Sequence, residues 1–158
     1  MSDLKGRILD VFNGKPTLSA LSTMTTDGRP WVRYVVIQAS DDMTFRCTSF
    51  IHARKVEQIA RNPEVHLTCG IADPTRFHDP YLQIQGRAVF TTDAEERHAF
   101  WSDRLKVLFE GPDDPRYGVV VTTANRIEYT QVGITAEIWT RDFSLEAEAT
   151  AAWHEAHP

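Results

Sequence analysis

The chain reads as a mainly β protein, a closed β-barrel with helices inserted between its strands. Three observations predict this class. Seven or so short runs show strand-like patterning. Most of them are linked as hairpins, so neighbours run antiparallel. The regular strand-helix alternation that a parallel sheet needs is missing.

Taken in order, Leu4, Ile8, Leu9 and Phe12 recur at helical spacing. Residues 3–13 are therefore an amphipathic helix, stopped at Gly14. Two strands flank Thr26-Asp27-Gly28, a hairpin signal. Ser40-Asp41-Asp42 turns the chain into a third strand near 43–48. "CTSFIHARKVEQIARNP", residues 47–63, reads as a strand end, a polar turn and a helix closed by Asn62-Pro63. "EVHLTCGI" is a strand with Val65, Leu67 and Cys69 on one face. "YLQIQGRAVFTT" is a long alternating strand: Leu82, Ile84, Ala88 and Phe90 point one way, Tyr81, Gln83, Gln85 and Arg87 the other. "DAEERHAFWSDRLKVLF" is a helix capped by Asp93, and "EGPDDPRY" a rigid loop. "GVVVTTA", "RIEYTQV" and "ITAEIWT" are strands, and "SLEAEATAAWHEAHP" a short terminal helix. With no repeat or linker between these elements, residues 1–158 are expected to form one domain.

One strand is apolar on both sides. In "WVRYVVI" Trp31, Val35 and Ile37 share one face and Val32, Tyr34 and Val36 the other. Water alone does not suit the outside of such a strand. A helix or a second subunit is expected to cover it.

Composition narrows the function classes. The chain is 42% hydrophobic and 25% charged, ordinary for a soluble globular protein. A net charge of −5 argues against general nucleic-acid binding, which needs a basic face. No apolar run approaches a membrane span, and the amphipathic start is no signal peptide. Cys47 and Cys69 fall in strand interiors and read as buried thiols, which places the protein in the cytoplasm.

The chemistry concentrates around the turn at 48–55. Arg54 and Lys55 sit close to a helix start, which already carries partial positive charge. Arg33 lies on an apolar strand face, where a guanidinium is costly unless paired, and few carboxylates stand nearby in sequence. Thr48 and Ser49 add hydroxyls beside free helix N–H groups. Two readings follow. Either Arg54 and Lys55 are solvated helix residues, or Arg33, Thr48, Ser49, Arg54 and Lys55 cradle a phosphate.

The order and spacing of several segments carry a resemblance. "RYVVI", a turn, "F…TS…ARKVEQIARNPEVHLT", "YLQIQGRAVFTTD", then "GPDDPRY" and "RIEYT" resemble the flavin-binding split barrels related to pyridoxamine 5′-phosphate oxidase. Within them the chain is most similar to the general stress protein 26 group, over roughly residues 15–130. The resemblance implies a split β-barrel with an FMN site at a homodimer interface. At the matching positions Arg33, Arg54 and Lys55 would hold the FMN phosphate, with Ser49 adding a hydroxyl contact and Thr48 adjacent. The backbone of Arg33, Tyr34, Val35 and Val36 would run beside the isoalloxazine ring. Tyr81 stands where the oxidases carry a flavin-touching glutamine.

The departures bear on activity. Gln38 replaces the lysine that helps the oxidases hold pyridoxamine phosphate, Ala53 replaces a serine of the phosphate turn, and Thr130 stands at a tryptophan position. Their basic C-terminal run has no counterpart. These differences argue against classical pyridoxamine phosphate oxidation. The expected function is an FMN-dependent oxidoreductase, with a non-catalytic flavin-binding or flavin-sensing stress protein as the alternative. A deazaflavin suits this phosphate turn less well. No side chain stands out as an acid or base. His52 reads as a surface turn histidine, with a phosphate contact or a proton donor near the flavin as its other readings. His66 and His98 read as exposed positions, Trp101 and Trp139 as core or interface aromatics, and Asp113-Asp114-Pro115 as a turn. His154 and His157 lack the further ligands of a metal site.

Overall fold

The structure, a computed structural model, describes residues 3–141. The helix expected in "SLEAEATAAWHEAHP", with His154 and His157, lies outside the described residues.

Helix α1 (Leu4–Phe12) is capped by Asp3, whose side chain accepts from the Gly6 N–H at 2.7 Å. It ends at Asn13, in the left-handed region (φ 50°), one residue before the expected stop at Gly14. Its Ile8 and Phe12 enter the barrel core.

Strands β1 (Thr17–Met24), β2 (Pro30–Ala39) and β3 (Thr44–Phe50) follow as a meander. Helix α2 (Arg54–Arg61) leads to β4 (Glu64–Cys69) and β5 (Tyr81–Thr91). Helix α3 (Ala94–Phe100) precedes β6 (Tyr117–Gln131) and β7 (Ile134–Thr140). The strand order is β3-β2-β1-β4-β5-β6-β7, all antiparallel, and an added β3–β6 pairing closes six strands into a barrel. The expected barrel with inserted helices is therefore the observed one. Closure removes the free edges of these six strands, and β7 lies outside the ring, paired with β6.

Two expectations fail for identifiable reasons. "GVVVTTA" and "RIEYTQV" are one strand, not two. In β6, Asn125 is a bulged residue between partners Arg126↔Gln85 and Ala124↔Gly86. Gly86 fits this corner because an added Cβ would sit 2.5 Å from the Thr123 carbonyl oxygen. The bulge lets one long strand serve two neighbours: its first half pairs with β3 and its second with β7. The second failure is the helix expected to run on from Asp93. Asp93 does cap α3, but the helix ends at Phe100 and a separate 3-10 turn spans Asp103–Val107. Between them Trp101 is extended (ψ 137°), and its ring meets Tyr117 edge-on at 5.6 Å. Aromatic packing there outweighs helix propensity.

The main core fills the barrel around Leu21, Ile37, Phe45, Leu67, Leu82 and Ile84. A second cluster, Phe100, Leu105, Phe109, Tyr117 and Val119, packs α3 and its turn against the outside of β6. Cys47 and Cys69 are buried and unbridged, as expected. The outer face of β2 stays uncovered among the described residues: Val32 is 62% and Tyr34 77% exposed, and Leu18 of β1 beside them is 61% exposed. No helix among the described residues is long and apolar enough to cross a membrane.

Candidate functional site

Strand alternation aims Arg33 inward near the open end of β2, opposite Leu21 in the hairpin register. Its guanidinium donates to the Leu21 carbonyl at 3.2 Å, to Thr23 Oγ1 at 2.7 Å and to Gln58 Oε1 at 2.8 Å. None of these acceptors carries a charge, so Arg33 is held in place but not neutralised. Burial lowers its pKa, and the neighbouring charge of Arg54 acts in the same direction.

Helix α2 supplies the other two cations. Ala53 stands at its N-cap with no side-chain hydrogen bond, so no side chain caps the first-turn N–H groups. Arg54 is exposed and lies over the Trp31 ring at 5.8 Å. Lys55 is half-buried. Burial pulls its pKa down, Cys47 pulls the other way, and Arg33 adds a smaller lowering. Among the described residues no carboxylate forms an ion pair with Arg33, Arg54 or Lys55. Glu57, in the first turn of α2, pairs instead with Arg61 at 3.3 Å. Three neighbouring cations at a partly dry barrel end, next to an uncapped helix start, form a donor set that suits a phosphate dianion.

The hydroxyl residues divide between two faces of β3. Ser49 shares the inward face with Cys47, and its Oγ donates to the Phe50 carbonyl at 3.0 Å. Thr48 faces the other way, opposite Val119 of the second cluster, and its buried Oγ1 has no partner. Burial lifts the Cys47 thiol to about 11, so it stays protonated at neutral pH.

On β2, Val35 points into the core while Tyr34 and Val36 face outward. Tyr34 borders an open groove of about 840 Å³, shared with Leu18, Ala20, Thr68, Gly70 and Tyr81. Gly70 has φ +124°, and an added Cβ would lie 2.6 Å from the Pro80 carbonyl oxygen, so the groove wall needs glycine there. Tyr81 sits on β5, three strand spacings or about 14 Å from β2. It belongs to the groove and not to the cation cluster.

His52 is exposed in the turn before α2, and His66 and His98 are exposed as expected. Trp101 packs on the second cluster and Trp139 on the main core. Asp114 is engaged within its own loop by Arg116 and by the Glu110 and Arg116 N–H groups. Thr23 and Gln58 were missed from the sequence. A signal for Gln58 existed: it follows Arg54 by four residues and so shares its helix face.

Comparison with known proteins matches residues 4–131 to the family model described as pyridoxamine 5′-phosphate oxidase. The chain is 30% identical over 131 residues to general stress protein 26 of Bacillus subtilis, covering 83% of this chain and 91% of that protein. Its fold is similar to the crystal structure of general stress protein 26 from Bacillus anthracis, with a TM-score of 0.74 at 24% identity, covering 87% of this chain and 98% of the other. It is also similar in fold to a pyridoxamine 5′-phosphate oxidase-related, FMN binding protein from Nostoc punctiforme: TM-score 0.71, 14% identity, 91% of this chain and 93% of the other.

Proposed function

This chain belongs to the pyridoxamine 5′-phosphate oxidase family, and from that premise we propose that it binds FMN as a single-domain flavoprotein and acts as a flavin-dependent oxidoreductase. The observation that carries the reading is the cluster of Arg33, Arg54 and Lys55, with which no carboxylate among the described residues forms an ion pair. The cluster takes the terminal phosphate. Ser49 flanks it on the inward face of β3, while Thr48, adjacent in sequence, faces the second cluster and makes no contact with the phosphate. The β2 backbone from Arg33 to Val36 borders the ring, and Tyr34 and Tyr81 line the groove beside it. When bound, FMN supplies hydride or electron transfer. The residues assigned here are cations, hydroxyls and tyrosines, which bind and orient.

A second copy of the chain is proposed to cover the apolar outer face at Leu18, Val32 and Tyr34, placing the flavin at a homodimer interface. The buried, unbridged thiols suit a reducing compartment, and we place the protein in the cytoplasm.

The test is fluorescence titration with FMN and with riboflavin, which lacks the phosphate. Tight FMN binding at micromolar concentration with much weaker riboflavin binding is expected; no FMN binding ends the proposal. Sedimentation should give a dimer, and a flavin-loaded monomer would remove the shared site. Bleaching of the loaded protein by NADH or NADPH marks an oxidoreductase. A second reading, a flavin carrier or sensor, draws on the same binding-type residues and predicts no bleaching.

A further inference from the structure

We infer that Gln58 is a positioning residue that braces Arg33 without neutralising it, and so keeps the cation cluster open to a phosphate dianion. The inference rests on the flavin-phosphate reading above.

The geometry fixes the polarity of each contact. A guanidinium only donates, so the Gln58 side chain must turn its oxygen toward Arg33. Thr23 Oγ1 accepts from Arg33 Nη1, and its own proton goes to Gln58 Oε1 at 2.5 Å. Arg33 Nη2 reaches the same oxygen at 2.8 Å. The three side chains close a ring. Thr23 is 1% and Gln58 8% exposed, so water does little to loosen it.

Three other arginines among the described residues are fixed by a carboxylate: Arg7 meets Glu137, Arg46 meets Glu96, and Arg116 meets Asp114. At position 58 the chain carries the amide instead. A glutamate has nearly the same shape and would keep both bonds, but it would cancel one charge of the cluster. Gln58 lies three residues after Lys55 and four after Arg54, on their side of α2, while Glu57 pairs away toward Arg61. The result is a cation with fixed geometry and uncompensated charge, which is what a bound dianion requires.

The experiment compares wild type with Gln58→Glu and Gln58→Met. It uses FMN and riboflavin titrations, and melting with and without inorganic phosphate. Gln58→Glu should melt no lower than wild type, since an ion pair replaces a neutral bond. Its FMN affinity should fall about 10- to 100-fold from the added negative charge. Riboflavin affinity should stay unchanged, and phosphate should raise the melting temperature of wild type only. Gln58→Met removes the brace; it too should weaken FMN while sparing riboflavin, and it carries the test if the glutamate variant does not fold.

Equal FMN affinity in wild type and Gln58→Glu overturns the inference and leaves the flavin reading intact, as does an equal loss of FMN and riboflavin. Phosphate protection of wild type but not Gln58→Glu, without FMN binding, sinks the flavin reading and keeps the anion-seat role of Gln58. No response of wild type to either ligand overturns both.

Discussion

The two sides of β3 treat their arginines differently. On the outer side Arg46 is held by Glu96 of α3 through Nε at 3.0 Å and Nη2 at 3.1 Å. On the inner side Arg33, Arg54 and Lys55 gather without an ion pair among the described residues, and the side-chain acceptors that hold Arg33 are neutral. The first arrangement is complete as it stands and ties a helix to the barrel. The second carries repulsion and desolvation that the fold does not relieve, as the lowered pKa values of Arg33 and Lys55 record. A balanced pair supports structure, whereas an unbalanced cluster is tuned for something that arrives.

The contrast breaks most readily at the cluster. Arg54→Ala with Lys55→Ala should weaken FMN binding by about 100-fold or more, since each charged hydrogen bond is worth about 1.5–3 kcal/mol. The same variant should melt no lower than wild type, because it removes like-charge repulsion. Unchanged FMN affinity would place the phosphate elsewhere.

A smaller effect is expected from pH. Anion binding favours protonated Lys55, so FMN affinity is full while Lys55 keeps its proton. It falls as pH rises through a pKa that burial has lowered from the usual lysine value of about 10.4. The drop should be about tenfold, the worth of one charge among three in a partly exposed site. Lys55→Arg should abolish it, and a titration series on both proteins measures the difference.

The smallest effect should come from the balanced side. Glu96→Gln should cost about 0.5–1 kcal/mol by chemical denaturation, the scale of a partly exposed pair, and leave FMN affinity unchanged. A large loss of FMN from this variant would mean that the two faces are not independent.

Much of this contrast was legible before the structure. Alternation in "EVHLTC" and "YLQIQGRAVF" correctly assigned the inward residues, because burial on one face leaves a period of two. The three cations were grouped from the sequence, and the structure brings them together. Two things were not legible. Thr23 and Gln58 are neutral and ordinary in composition; only the third dimension shows that they accept from Arg33. Likewise nothing local announces that Asn125 is a bulge and not a break, since its meaning depends on Gly86 across the sheet. Tyr81 and Thr48 illustrate a related limit. Strand order separates Tyr81 from β2, and pleating turns Thr48 away from Ser49 although the two are adjacent in sequence.

The closing pairing of β3 with β6 has a consequence for folding. It joins Thr44 to Thr123, across half of the chain, while every residue of the anion seat lies between Thr23 and Gln58. Long-range pairings are the slow ones, because a large loop must be closed before any contact repays it. The hairpins and helix that carry the seat need no such loop. During synthesis they emerge together and ahead of β6, so the part of the molecule with unbalanced charge is made early and the barrel is sealed around it late.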